Sequence, residues 1–198
     1  MTTDVPQRTA DHPIDPDILA RWSPRAFDGS TLDDATLATL FEAARWAPSA
    51  FNAQPWRFVY AHRGTPEWEA LLSALVPRNA AWVQHASVLL FVLSDTLFLA
   101  PGQTDPVPAT TNSFDAGAAW ALLALQAQKL GLHTHAMAGF DRARATEVTG
   151  AGDRFRIEAA VAIGRKGDPA TLPEPLRARE FPSPRRPLAE TAYRGRLP

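Results

Sequence analysis

Val88-Leu89-Leu90-Phe91-Val92-Leu93 is a continuous apolar run of strand length. A strand with one wet face alternates apolar and polar residues, whereas a strand covered on both faces has no need to. The run therefore predicts a strand in the middle of a sheet, with a packed layer on each side. Around it, Trp56 to Ala61, His133 to Ala138 and Ile157 to Ile163 read as further strands, and the segments between them carry helical spacing.

Asp15-Pro16-Asp17 supplies a cap, a first-turn proline and a first-turn acid, and opens a short helix that Ser23-Pro24 ends. Thr31 with Asp34 reads as the cap of a second helix, with Leu37, Leu40, Phe41 and Ala44 at core spacing and Pro48 as its stop. Thr65-Pro66-Glu67 opens a third, facing inward through Trp68, Leu71, Leu72 and Leu75, and Asp141 caps another that reaches about Thr149. Residues 115–130 form the longest helical pattern, stopped by Gly131. Its first half, Ala116 to Leu125, is apolar on every side, which predicts a helix without a solvent face and, in a chain this small, a dimer interface. Residues 101–112 are rich in Pro, Thr and Gly and predict a long loop able to cover a site. From Gly167 onward prolines recur without an apolar period, so 167–198 is expected to be an extended tail draped on the surface, while 1–13 is expected to be disordered. The elements sum to an α+β fold in one domain spanning 1–198.

A chain of 198 residues, 45% hydrophobic and 21% charged, can bury a sizeable core and does not have the composition of a disordered protein. Its formal net charge of -1 provides no overall field for nucleic acid or an anionic membrane, so any affinity for phosphate must be local. The absence of cysteine excludes disulfides, thiolate nucleophiles and Cys-ligated metal centres, which leaves redox chemistry to a borrowed cofactor. Met1 to Pro13 is polar, unlike a signal peptide, and no apolar run is long enough to span a bilayer, so a cytoplasmic location is expected.

Local phosphate affinity has a candidate in Arg21-Trp22-Ser23-Pro24-Arg25, where two guanidinium forks flank a hydroxyl on a proline-stiffened loop. A second run, Ala47-Pro48-Ser49-Ala50-Phe51-Asn52-Ala53-Gln54-Pro55-Trp56, sets polar amides beside apolar bulk, which suits a flat ring with polar edges. Each has a plainer reading: a solvated basic loop for Arg21, Ser23 and Arg25, a core anchor for Trp22 and Trp56, and helix-stop and turn roles for Pro48, Ser49 and Asn52. Met137-Ala138-Gly139-Phe140-Asp141 joins a strand to a capped helix, and its glycine either lets backbone approach a flat ring or serves the junction alone. His133 and His135 share a strand face, a spacing compatible with metal, but no acid or Cys stands near them and they read as core or surface histidines. Glu174 to Glu180 alternates charges and reads as a solvated helical turn.

The order and spacing of four motifs resemble the FMN-dependent nitroreductase family across residues 15–196: Arg21-x-Ser23-x-Arg25, Pro48-Ser49-x-x-Asn52-x-Gln54-Pro55-Trp56, Met137 to Asp141, and Arg185-Arg186-Pro187-Leu188. The resemblance implies a mixed, mainly antiparallel sheet flanked by helices, in an intertwined homodimer with two FMN sites at the interface. Arg21, Ser23, Arg25 and Arg185 would clasp the phosphate and ribityl chain, with the backbone at Trp22 close by. Pro48, Ser49, Ala50, Asn52 and Gln54 would lie against the ring held by the partner, Ala50 standing where many relatives carry a second Ser. Backbone at Met137, Ala138 and Gly139 would meet the ring edge near N5, and Asn79 would touch the ribityl chain or that edge. Lys166 and Arg165 are weaker candidates for the phosphate. NADH or NADPH would reduce the flavin, and a nitroaromatic, quinone, enal or semialdehyde would reoxidise it in a ping-pong cycle without a catalytic side chain or a metal. A non-catalytic flavin-binding or flavin-handling protein is the alternative.

Overall fold

The computed structural model describes residues 8–198. Of the N-terminal segment expected to be disordered, residues 1–7 lie outside the described residues. Residue 8 departs from that expectation, because the Arg8 guanidinium donates to the carbonyls of Leu19, Arg21 and Ser183.

Helix α1 (Pro16–Ala20) is followed by α2 (Asp34–Arg45), strand β1 (Trp56–His62), α3 (Pro66–Leu72), α4 (Pro77–Val83) and β2 (Val88–Asp95). Then come the short strands β3 (Leu97–Phe98) and β4 (Val107–Pro108), α5 (Asn112–Lys129), β5 (His133–Met137), α6 (Arg142–Thr149), β6 (Phe155–Gly164) and the single turn α7 (Glu174–Arg177). The main sheet has the order β1-β2-β6-β5, with each neighbouring pair antiparallel. β2 is buried along its whole length. Leu89, Phe91 and Leu93 face a core built with α3, α4 and α6, while Val88, Leu90 and Val92 face one built with α2 and α5. The unalternating run thus has the covered faces it predicts. No helix among the described residues is long and apolar enough to cross a membrane.

Several local expectations are corrected. The cap of α2 is Asp33, whose carboxylate accepts the Thr36 N–H at 2.7 Å, and not Thr31. The loop expected over 101–112 contains β4, paired with β3 in a hairpin. The tail is mostly exposed, although Leu172 reaches the core and the Glu180 side chain is buried, and it is not wholly extended, since α7 and the 3₁₀ turns Pro169–Thr171 and Leu188–Glu190 punctuate it. Helix α5 buries Ala116, Ala119, Leu123 and Ala124 within the chain but leaves Phe114 81% exposed and Gly117 and Ala121 open, so in one copy it does have an uncovered face.

Candidate functional site

The chain leaves α1 at Arg21, which turns to an extended conformation, and the next residues form one wall of a cavity of about 270 Å³. Arg21, Trp22, Ser23, Arg25 and, from the far end of the sequence, Arg185 all line it. Arg8, His135, Arg179, Phe181 and Ser183 complete the lining and were not among the expected site residues. Arg8, Arg21, Arg25, Arg179 and Arg185 therefore border one small space, and no acidic residue lines it among the described residues. Burial, then the charge of Arg185, holds the Arg21 guanidinium below its ordinary range, and burial with Arg185 and Arg21 does the same to Arg8. Both remain cations, so crowding without a counterion inside the cavity makes an anion the favoured occupant.

His135 builds the same wall. Its Nδ1 lies 2.9 Å from the Pro24 carbonyl, and its ring is tilted against Trp82 with centroids 4.7 Å apart. Burial pushes the imidazole down to about 4, with the Pro24 hydrogen bond opposing and Arg25 and Arg21 reinforcing. A neutral ring must then donate from Nδ1 to the carbonyl, which fixes the tautomer. Trp22 packs edge-on to His133 with centroids 6.5 Å apart, so it serves both as a wall of the cavity and as an anchor of the loop.

The second motif lies elsewhere in the single chain and does not line the cavity. Phe51, Asn52 and Gln54 have φ of 52°, 54° and 49°, left-handed conformations that cost a non-glycine residue roughly 1–2 kcal/mol each. The loop is held in that shape by its own polar groups and by Asp115 of α5. Ser49 Oγ accepts the Gln54 N–H at 3.0 Å, Gln54 Nε2 donates to the Asn52 carbonyl at 3.1 Å, and buried Asp115 accepts the Ala50 N–H at 3.2 Å. Pro48, Asn52 and Gln54 are exposed, Ser49 and Ala50 half-buried, and Phe51 stacks on Phe98 of β3 at 5.8 Å.

Asn79 and the Met137–Gly139 segment form a third group. Asn79 Nδ2 donates to the Gly139 carbonyl at 3.0 Å, and a Cβ on residue 139 would come within 2.5 Å of that nitrogen. A side chain at residue 139 would displace the Asn79 amide from this contact, so glycine here leaves room for Asn79. Met137 is buried in the core, while Ala138 is exposed beyond the end of β5. Neither lines the arginine cavity.

Glu180 is a further departure. Its carboxylate, read from sequence as solvated, is 1% exposed and sits behind the Arg loop, where it accepts the N–H groups of Arg25 and Ala26 at 2.6 and 2.8 Å. The only sequence signal for this burial is the apolar Phe181 that follows a run of charges.

A helix-covered antiparallel sheet with an arginine-lined cavity at the exit of its first helix defines an α+β protein equipped to hold an anionic ligand. The chain belongs to the nitroreductase family, whose sequence pattern matches residues 18–165. It is 32% identical over 178 residues, 82% of this chain and 90% of the other, to a Burkholderia lata protein named "Putative NADH dehydrogenase/NAD(P)H nitroreductase". A solved structure of an oxidoreductase containing FMN is 47% identical and superposes with a TM-score of 0.93, covering 100% of this chain and 99% of that one. A second, a nitroreductase-type protein from Desulfovibrio desulfuricans in complex with FMN, is 26% identical with a TM-score of 0.71, covering 96% and 100%.

Proposed function

We propose that this protein is an FMN-dependent oxidoreductase that draws electrons from NADH or NADPH and passes them to a small organic acceptor such as a nitroaromatic, quinone, enal or semialdehyde. The observation that carries this reading is the cluster of Arg8, Arg21, Arg25 and Arg185 around one cavity that Ser23 also lines, its hydroxyl accepting from Arg21 Nη1 at 3.4 Å. The FMN in the 47%-identical relative and the nicotinamide donor in the name of the Burkholderia lata protein support it. FMN, when bound, supplies the hydride and electron chemistry, so the side chains bind, orient and exclude water.

In this reading Arg21, Ser23, Arg25 and Arg185 hold the phosphate and the Trp22 backbone borders the ribityl chain. Ala138 and Gly139 offer backbone to the ring edge, with Asn79 fixing the carbonyl of Gly139 so that this edge does not shift. The strained loop at Ser49, Ala50, Asn52 and Gln54 stands apart from the cavity in one chain, and its place is against the ring bound by a second copy. A homodimer also accounts for the uncovered face of α5 at Phe114, Gly117 and Ala121.

Purified protein is expected to be yellow and to release about one FMN per chain on denaturation. NADH or NADPH should bleach it without air, and steady-state plots with a quinone acceptor should give parallel lines, because one flavin face serves donor and acceptor in turn. Release of FAD or of no flavin would overturn the cofactor assignment. A yellow protein that neither nucleotide bleaches would make it a flavin-handling protein instead.

A further inference from the structure

Among the described residues, Glu180 is the one buried carboxylate touching the Arg loop, and it comes from the tail. Its Oε1 takes two consecutive backbone N–H groups, those of Arg25 and Ala26. Oε2 has no hydrogen-bond partner among the described residues and lies 3.7 Å from Arg25 Nη1. A carboxylate withdrawn from water needs such partners to be tolerated, so its burial and the shape of the loop depend on each other. Two further ties close the tail around the loop. The Gly167 N–H donates to the Ala26 carbonyl at 2.8 Å, in a crossing so close that a Cβ on residue 167 would meet Phe27 backbone at 2.6 Å. Arg8 bridges the Ser183 carbonyl, at 2.9 Å, to the Arg21 carbonyl, at 2.8 Å. Phe181, Ser183 and Arg185 follow Glu180 directly and line the cavity.

We propose that Glu180 is a positioning residue for phosphate recognition: by docking on the Arg25 and Ala26 amides it seats the tail, and so brings Arg185 to the same anion that Arg21 and Arg25 meet. This rests on the reading of the cavity as the FMN phosphate site. Because Glu180 occupies those two N–H groups, the phosphate is left to the guanidiniums and to Ser23. Glu180 therefore acts on the phosphate end of the cofactor only, through Arg25 and Arg185.

The test compares FMN with riboflavin, which lacks the phosphate, in flavin-free protein, with binding followed by quenching of flavin fluorescence. Glu180→Ala should weaken FMN binding by about tenfold or more while leaving riboflavin binding unchanged, since charge-assisted contacts to the phosphate are what is lost. Arg185→Ala should do the same, and the double variant should be no worse than the weaker single one, because Arg185 without its latch has nothing left to lose. Glu180→Gln keeps an oxygen for the two N–H groups and should recover most of the affinity. Hydrogen exchange should show the Arg25 and Ala26 amides protected in the native chain and in Glu180→Gln but not in Glu180→Ala. Additive losses in the double variant, or equal losses for FMN and riboflavin, would overturn the proposal. If the native chain bound no FMN, the cofactor reading would fail separately. The latch would then be judged by exchange alone: protection lost in Glu180→Ala upholds it, and protection retained overturns it.

Discussion

At His135 a single ring carries structural weight for the whole Arg loop, since its Nδ1–H holds the Pro24 carbonyl between the two arginines. The native imidazole protonates near 4 and the ordinary one near 6.5. Between these values the unfolded chain binds a proton that the folded chain refuses, so stability is full above about pH 6.5 and is lost as pH falls toward 4. The loss should be on the order of 2–3 kcal/mol. His135→Asn, which keeps an N–H donor but does not titrate, should show that much less acid sensitivity in urea unfolding at pH 7 and 4.5, and parallel behaviour would refute the assignment. Arg21, Ser23 and Arg25, whose type and spacing point to an anion, and Arg185, which the family resemblance alone singles out, meet at one cavity. Glu180 and Arg8 were not legible in the sequence. A charged residue in a charged stretch looks solvated, and only the return path of the tail reveals that one of them is buried.

Among the elements, the loop at residues 49–54 holds its left-handed residues against their preference, and Asp115 on α5 is the external support. Asp115 Oδ2 also accepts the Thr111 hydroxyl at 3.1 Å, so one carboxylate joins the start of α5 to the loop after α2. Asp115→Ala should cost about 1–3 kcal/mol of stability. It should also release the Ala50 amide to rapid exchange while the amides of β2 stay protected, and an unchanged Ala50 amide would show that the loop holds itself. Helices were readable where a cap and a period coincide, as at Asp15, Thr65 and Asp141, each of which caps as expected. Short elements were not readable. α4 and the β3–β4 hairpin are too brief for a period to emerge, and they exist because tertiary neighbours, such as Trp82 on Phe27 and Phe98 on Phe51, hold them.

For the molecule as a whole, the two-sided burial of β2 followed from one run of sequence, whereas the strand order did not, because antiparallel pairing of β2 with β6 depends on contacts far apart in the chain. The proposed homodimer makes its own demand on α5. Ala121 is exposed in the single chain, so Ala121→Glu should leave one copy folded but weaken association by a hundredfold or more, a buried unpaired charge costing about 3–5 kcal/mol. Sedimentation should then find folded monomer that has lost its flavin, and a yellow monomer would separate the site from the interface. The strand order also has a bearing on synthesis. β2 gains its first neighbour, β1, as soon as it emerges, but its other edge stays open until residues 155–164 have been made. During that interval the growing chain displays an apolar strand with an unpaired edge, the kind of surface on which nascent chains stick to one another and which chaperones cover. Glu180 and Arg185 are made later still, so the residues that close the anion pocket follow the last strand of the sheet in the order of synthesis.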